Sequence, residues 1–300
     1  MRPGDAARLL LLGAIWGSSF LFIKLGLRAY TPSQIVAGRV VIGVAVLLFL
    51  LRYRGLSLPR GAATWRSLLF MAVVANLVPF LLITWGEERI SSGLTAILNS
   101  TTPLFTAVLA TVYIVSERLT SLRLGGIVLG FAGVGVIVGI EGGSLVGQVA
   151  VVLAALSYAV GFVYARSRLT GRSGSPLELS AGQLLVATIL IVPVAGIDSI
   201  AHPLEVGLEP PSASVFALGF FGTGLAYVLY YRLITDVGAT TASLVTYLIT
   251  IFGAVFGWVA LDERLGWNAL VGAAMVIAGI AIAQRGAPPA EPIPDRVAAV

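Results

Sequence analysis

Cysteine is absent from the 300-residue chain, so there is no disulfide framework and no thiolate to act as nucleophile or metal ligand. Histidine occurs once, as His202, beside Pro203 in a polar connection. There is no His-Glu-x-x-His run, and no aspartate or glutamate lies near the middle of a long apolar stretch. Hydrolysis inside a membrane needs a metal site, paired acids or a serine with its base. An enzyme is therefore disfavoured, and no metal or cofactor is expected. A midplane proton relay lacks its carboxylate for the same reason. No Gly-x-x-x-x-Gly-Lys-Ser/Thr loop is present, which leaves this chain without ATP drive. Charge is scarce as well, at 11% of residues, where a soluble domain carries roughly 25%. Too little polar surface remains to coat a water-facing globule, so lipid is the expected solvent. Lysine occurs once, as Lys24.

What remains is apolar: 58% of residues, with a mean hydropathy of +0.98. A spanning helix needs about 20 mostly apolar residues. Ten such segments are predicted, at 8–28, 33–52, 66–86, 92–115, 121–140, 147–167, 176–196, 212–233, 238–261 and 266–284. The first has an apolar core too long for a cleaved signal peptide and runs into Lys24 and Arg28 without a small-residue cleavage site. Residues 285–300 hold four prolines and are expected to form a disordered cytoplasmic tail. The pI of 9.8 reflects arginines that flank the spans, which points to topology and away from nucleic acid. With the N-terminus inside, only Lys24, Arg28, Arg39, Arg89 and Arg264 fall outside. The positive-inside rule thus favours both termini in the cytoplasm.

The chain is also written twice. Ser116-Glu117-Arg118-Leu119 returns 146 residues later as Asp262-Glu263-Arg264-Leu265. At the same offset Thr95-Ala96 meets Thr241-Ala242, Gly126 meets Gly272, and Ala132-Gly133 meets Ala278-Gly279. Nearer the start of each copy, Trp16 meets Tyr158, Phe20 meets Phe162, Pro32 meets Pro176 and Arg39 meets Gln183. A fixed long period is an internal duplication. Five spans per copy is an odd number, so the second copy enters the membrane upside down. The expected fold class is all-α integral membrane, ten transmembrane helices as two inverted five-helix repeats, 8–140 and 147–284. That architecture belongs to transporters with a site between the halves. The pairs Gly13/Gly17, Gly126/Gly130, Gly135/Gly139 and Gly253/Gly257 have the four-residue spacing of close helix packing.

Trp16-Gly17-Ser18-Ser19-Phe20, followed by Lys24, Pro32 and Arg39, resembles the opening of the drug/metabolite transporter superfamily, specifically its ten-helix EamA family. Asn99-Ser100-Thr101-Thr102-Pro103-Leu104-Phe105 before Ser116-Glu117-Arg118-Leu119 looks like that family's fourth helix and its end. The second half departs from the pattern at Ile249, which stands where the first has Pro103. The resemblance spans residues 8–284. It implies alternating access to a central cavity, small metabolites such as amino acids, their derivatives and drugs as substrates, and export from the cell.

The residues themselves suggest parts of a site. Trp16, Phe20, Tyr158, Phe162 and Tyr227 are aromatic residues deep enough to wall a cavity; Trp85, Tyr230 and Tyr231, nearer span ends, suit an interfacial belt. Asn76, Asn99, Thr102 and Thr246 could offer hydrogen bonds, although hydroxyls in lipid often bond their own backbone. Lys24, on the order of 24 Å into its span, and Arg39, roughly 9 Å below the outer surface by helical rise, would set charge at the outer end. Lys24 could instead snorkel to headgroups, and Arg39 is expected first to pair with Glu87 or Glu88. Pro79, Pro103, Gly222 and Gly224 would bend or gate helices. Glu117 and Glu263, each beside an arginine, would cap loops or break contacts during a cycle.

The sequence thus describes a multi-pass carrier of the inner (cytoplasmic) membrane. Its partners are the bilayer and a small-molecule substrate, with no nucleic acid, and a homodimer is compatible with the chain. A passive channel or lipid scramblase would use the same helices, but would pass solute without saturation or counterflow.

Overall fold

The protein is described by a computed structural model, which covers residues 3–113, 120–138, 144–169, 175–204, 206–207, 209–242 and 245–285. Ten helices run through these residues: α1 Pro3–Gly26, α2 Pro32–Tyr53, α3 Ala62–Glu87, α4 Ser92–Tyr113, α5 Ser121–Ile137, α6 Leu145–Arg168, α7 Pro176–Ala201, α8 from Pro210 to Ala242, α9 Val245–Leu261 and α10 Trp267–Arg285. Eight are long and apolar enough to cross a membrane, α8 by its stretch Pro210–Tyr230; α5 and α9 are shorter apolar helices. Large apolar side chains such as Phe49, Ile197, Ile200 and Trp258 point outward, as lipid-facing residues do.

Local chemistry sets the starts. α2 and α7 both open on a capping box with proline at the first turn: Thr31 with Gln34, and Ser175 with Glu178. In each, the side chains satisfy backbone N–H groups that the helix leaves orphaned, and proline costs nothing where no N–H is needed. The matched prolines of the duplication are thus matched helix starts.

The two halves run in opposite directions. α1 begins where Arg8 meets Asp236, near the end of α8. α6 begins at the other end of the bundle, where the Ser144 N–H donates to the Arg89 carbonyl and Gly147 lies against Gly86. Packing exchanges accordingly: α1 rests on α9 and α8, while α6 rests on α4 and α3; α2 pairs with α7, and α5 with α10. Swapping the halves maps this pattern onto itself.

Glycine permits the closest approaches. A Cβ on Gly133 would sit 2.7 Å from the Gly272 carbonyl oxygen, and one on Gly279 would sit 2.6 Å from that of Gly126. These are reciprocal contacts between matched residues, so α5 and α10 touch backbone to backbone. Gly13 and Gly17 seat α1 on Leu248 and Phe252 of α9, and Gly253 abuts Ala96. Gly135 meets nothing within 4 Å, which corrects its expected packing role; its partner Gly139 lies outside the described residues.

The sequence expectation placed a turn between spans at 233 and 238. The structure instead carries α8 through Ala242 and starts α9 at Val245. Asp236, in the added turns of α8, pairs with Arg8 across the α1–α8 interface. At Pro103, expected to bend its helix, the helix is interrupted outright. α4 breaks at Ser100–Thr101, and Pro103 sits in the first turn of its second piece, Thr102–Tyr113. The proline disfavours helix in the residues before it and is tolerated where it stands. Residues 286–300, and with them the expected tail, fall outside the described residues.

Candidate functional site

α3 and α8 each contain one π-helical turn, Val73–Leu77 and Phe220–Leu225, at matched positions. Such turns free main-chain carbonyls and are frequent at functional sites. Both have a donor. The Ser157 hydroxyl donates to the Val74 carbonyl at 2.7 Å, and the Trp16 indole N–H donates to the Gly222 carbonyl at 3.1 Å. Pro79, with no N–H to give, frees a further carbonyl upstream in α3. Gly222 and Gly224 let α8 pack against Ser19 and Val46.

Each π turn also receives a polar side chain from the second helix of the other half. Arg39 Nε donates to Thr223 Oγ1 at 3.0 Å. Gln183 Nε2 donates to Asn76 Oδ1 at 2.5 Å. These are the residues that the duplication aligns, Arg39 with Gln183, so one half of the site is cationic and the other neutral.

Arg39 is the centre of this cluster. Its guanidinium lies over the Phe80 ring, 3.9 Å from the centroid, and faces the phenols of Tyr158 and Tyr227. Tyr227 also faces Asn76. Arg39, Tyr158 and Tyr227 are each half-buried, so their polar tips are not sealed off by packing. The two terminal nitrogens of Arg39 make no hydrogen bond and no ion pair among the described residues. Asn76 Nδ2 is fully buried, beside the Tyr227 phenol and without a hydrogen bond of good geometry among the described residues. The open guanidinium nitrogens and the buried amide belong to one cluster, and a donor left without a partner is a ready point of contact for a polar solute.

This corrects the expected Arg39–carboxylate pair and its place at the outer end. Thr223 lies on the order of 20 Å along α8 from Pro210, so the guanidinium works at mid-depth. Helical rise locates a Cα, and the side chain reaches beyond it.

Lys24 is neither free nor snorkelling. Its ammonium donates to the carbonyls of Glu87, at 2.5 Å, and Ile90, at 2.8 Å. It thereby ties α1 to the C-terminal end of α3, where a cation is favoured. Glu88 pairs with Arg89 at the surface. Glu263 caps α4: its carboxylate accepts from the Ser92 N–H at 2.9 Å, the Ser92 hydroxyl at 2.8 Å and the Gly93 N–H at 3.0 Å. Asp262, at φ 52, turns the chain so that Glu263 can do this; aspartate tolerates that left-handed backbone. Lys24, Glu263, Arg28, Glu87 and Glu88 surround a surface cavity of about 490 Å³ at this end. Replacing Glu263 by glutamine is expected to remove charge-assisted bonds and cost about 1.5–3 kcal/mol, read as a lowered melting temperature of the purified protein. Glu117, its expected counterpart, lies outside the described residues.

The remaining residues divide. Trp16 braces the α8 π turn and packs its ring 5.3 Å from Tyr230, which draws Tyr230 inward from the expected belt. Phe20 is a core residue, 5% exposed, in the cluster against which Tyr158 packs. Phe162 stacks on Tyr158 but is half exposed, so it does not enclose the cluster. The Thr102 hydroxyl donates to the Asn99 carbonyl at 2.8 Å, as those of Ser100 and Thr101 do to Ile97 and Leu98; each satisfies the backbone broken at this point. Asn99 Oδ1 is buried without a partner, and Thr246 is half-buried at the start of α9. Thr223 and Phe80, which hold Arg39, were not singled out as its partners from sequence. Their signal was position alone: one lies within the Gly222–Gly224 stretch and the other follows Pro79.

Ten apolar helices in two opposed halves around a polar centre describe a multi-pass membrane protein of the transporter class. The EamA-like transporter family model matches the chain twice, over residues 6–139 and 145–284. The chain belongs to that family, and it is a membrane transporter. Several relatives align over most of their length. Uncharacterized transporter YoaV of Bacillus subtilis is 24% identical over 271 residues, 89% of this chain and 91% of its own. A probable terminal-alkyne amino-acid exporter of Streptantibioticus cattleyicolor is 26% identical over 280 residues, 92% of each chain. Uncharacterized inner membrane transporter YedA of Escherichia coli K12 is 28% identical over 273 residues, 85% of this chain and 83% of its own. A solved structure, titled only as the crystal structure of a protein, shares the fold with a TM-score of 0.65 at 20% identity, covering 93% of this chain and 98% of that one.

Proposed function

We propose that the protein carries a small carboxylate-bearing metabolite, an amino acid or a relative of one, by alternating access between two inverted units, residues 8–140 and 147–284. The observation that carries this reading is the mid-depth guanidinium of Arg39, with both terminal nitrogens unbonded. Guanidinium and carboxylate match as a bidentate pair. Thr223 and the Phe80 ring hold the group in one pose, and pre-organisation reduces the entropy lost on binding. Asn76 Nδ2 supplies a second donor, and Tyr158 and Tyr227 supply flat walls with polar tips. The amino-acid exporter of Streptantibioticus cattleyicolor among the relatives supports the substrate class and the outward direction. Arginine placement supports cytoplasmic termini in the inner membrane, with α1 running outward.

Counterflow in proteoliposomes tests the reading. Vesicles are preloaded with unlabelled amino acids, their carboxamides, amines or sugars, and entry of the matching label is followed. Transient accumulation is expected with amino acids and not with their carboxamides, which cannot pair with Arg39. Equal accumulation with the carboxamides would refute the carboxylate role. Saturation-free flux of all four classes would favour a channel or scramblase.

A further inference from the structure

Glu87, the last residue of α3, takes no part in the Arg39 cluster's hydrogen bonds, yet it is fully enclosed at 0% exposure. Neither of its carboxyl oxygens has a hydrogen-bond donor among the described residues. The charged groups that face it come from three elements: Lys24 of α1, Arg39 of α2 and Glu263 of the connection after α9. Arg28 and Glu88 stand at the mouth of the adjoining cavity. None of these satisfies a carboxylate. Lys24 gives two of its three protons to main-chain carbonyls and none to the Glu87 carboxyl group, Arg39 bonds Thr223, and Glu263 is itself an acid committed to α4. The C-terminal end of α3 adds partial negative charge. An unpaired buried anion is among the costliest arrangements in a protein, whereas a neutral carboxyl group fits this environment.

We propose that Glu87 is a proton-binding site that controls Arg39, an inference that rests on the carboxylate-carrier reading. With the proton bound, the Arg39 guanidinium is free to receive the substrate carboxylate. On release, the carboxyl O–H bond breaks, the electron pair stays on the oxygen, and the proton passes through the adjoining cavity to water. The resulting carboxylate draws Lys24 from its carbonyls and, on the order of 10 Å along α3 from Phe80, repels a substrate carboxylate approaching Arg39. The Glu87 carboxylate and bound substrate therefore disfavour each other. The second half holds Leu233 at the matching position, fully buried, so the device exists at one end only.

Two readouts on the purified, full-length protein test this. Infrared difference spectra across a pH titration follow a protonated carboxyl group directly, without any need for transport. Wild type is expected to show a carboxyl band that fades as pH rises, and Glu87→Gln to lack it. Counterflow of an amino acid is expected to fall at least tenfold over the same pH interval in wild type and to stay level in Glu87→Gln. Glu87→Leu, which copies the second half, serves as a second folded variant. A band that persists in Glu87→Gln, or an equal pH response in that variant, would overturn the proposal. Absence of counterflow for every carboxylate would refute the substrate reading instead, while the infrared titration would still decide the proton site.

Discussion

Arg39→Gln is expected to abolish carboxylate transport while leaving the protein folded. Removing one partner of a desolvated, hydrogen-bonded charge pair costs roughly 2–5 kcal/mol, a loss of about thirtyfold to several thousandfold in kcat/KM at 1.4 kcal/mol per factor of ten. Folding should tolerate the change. Arg39 makes one hydrogen bond, to Thr223, and one ring contact, to Phe80, and the substitution removes a half-buried cation that has no ion pair among the described residues. Arg39→Lys separates charge from geometry. An ammonium keeps the positive charge but has no planar fork, so an intermediate loss is expected. If Arg39→Lys transported as well as wild type, attraction alone would suffice and the bidentate pairing would be wrong. The measurement is initial counterflow rate against substrate concentration, normalised to folded protein by size-exclusion profile.

Gly279→Val is expected to be the most damaging single change to the fold. Its new Cβ would lie 2.6 Å from the Gly126 carbonyl oxygen and 2.7 Å from the Gly130 Cα. These are backbone atoms of α5, so no side chain can turn aside. Overpacking typically costs about 1–3 kcal/mol, and a collision of two backbones belongs at or above the top of that range. Gly135→Ala on the same pair of helices is the control, because nothing lies within 4 Å of its added methyl. It should match wild type or gain up to about 1 kcal/mol from helix propensity. Thermal denaturation in detergent compares them. Similar melting temperatures for Gly279→Val and Gly135→Ala would mean that α5 and α10 are farther apart than described.

The fold was legible in the sequence for two reasons. Apolar run length is dictated by the bilayer, and the duplication leaves marks that survive divergence, such as Pro32 with Pro176 and Gly126 with Gly272. The end of α8 was not legible because apolar run length does not mark where a helix continues past the lipid, and Arg8, which pairs with Asp236 there, is far away in sequence. Within the candidate site, Asn76, Tyr158 and Tyr227 could be placed on the correct helices from depth alone. The partners of Arg39 could not, since pairing depends on which way a long side chain leans. The π turns have even less signature: Pro79 and the Gly222–Gly224 stretch mark disturbed helices but do not specify the type of disturbance. Lys24 shows the same limit from another side, because its acceptors are main-chain carbonyls, which carry no residue-specific signal.

Accessibility of the Arg39 cluster from each face of the membrane tests the account most directly. The absence of native cysteine makes the chain a ready background for a single thiol, and Tyr227→Cys puts one beside Arg39 and Asn76. Membrane-impermeant thiol reagents are then applied to right-side-out and inside-out vesicles, with and without excess amino acid on the opposite face. The account predicts labelling from both faces, each slowed at least severalfold by substrate on the far side, because one site is exposed alternately. Labelling from one face only, or labelling that substrate on the far side leaves unchanged, would contradict a central alternating-access site at Arg39.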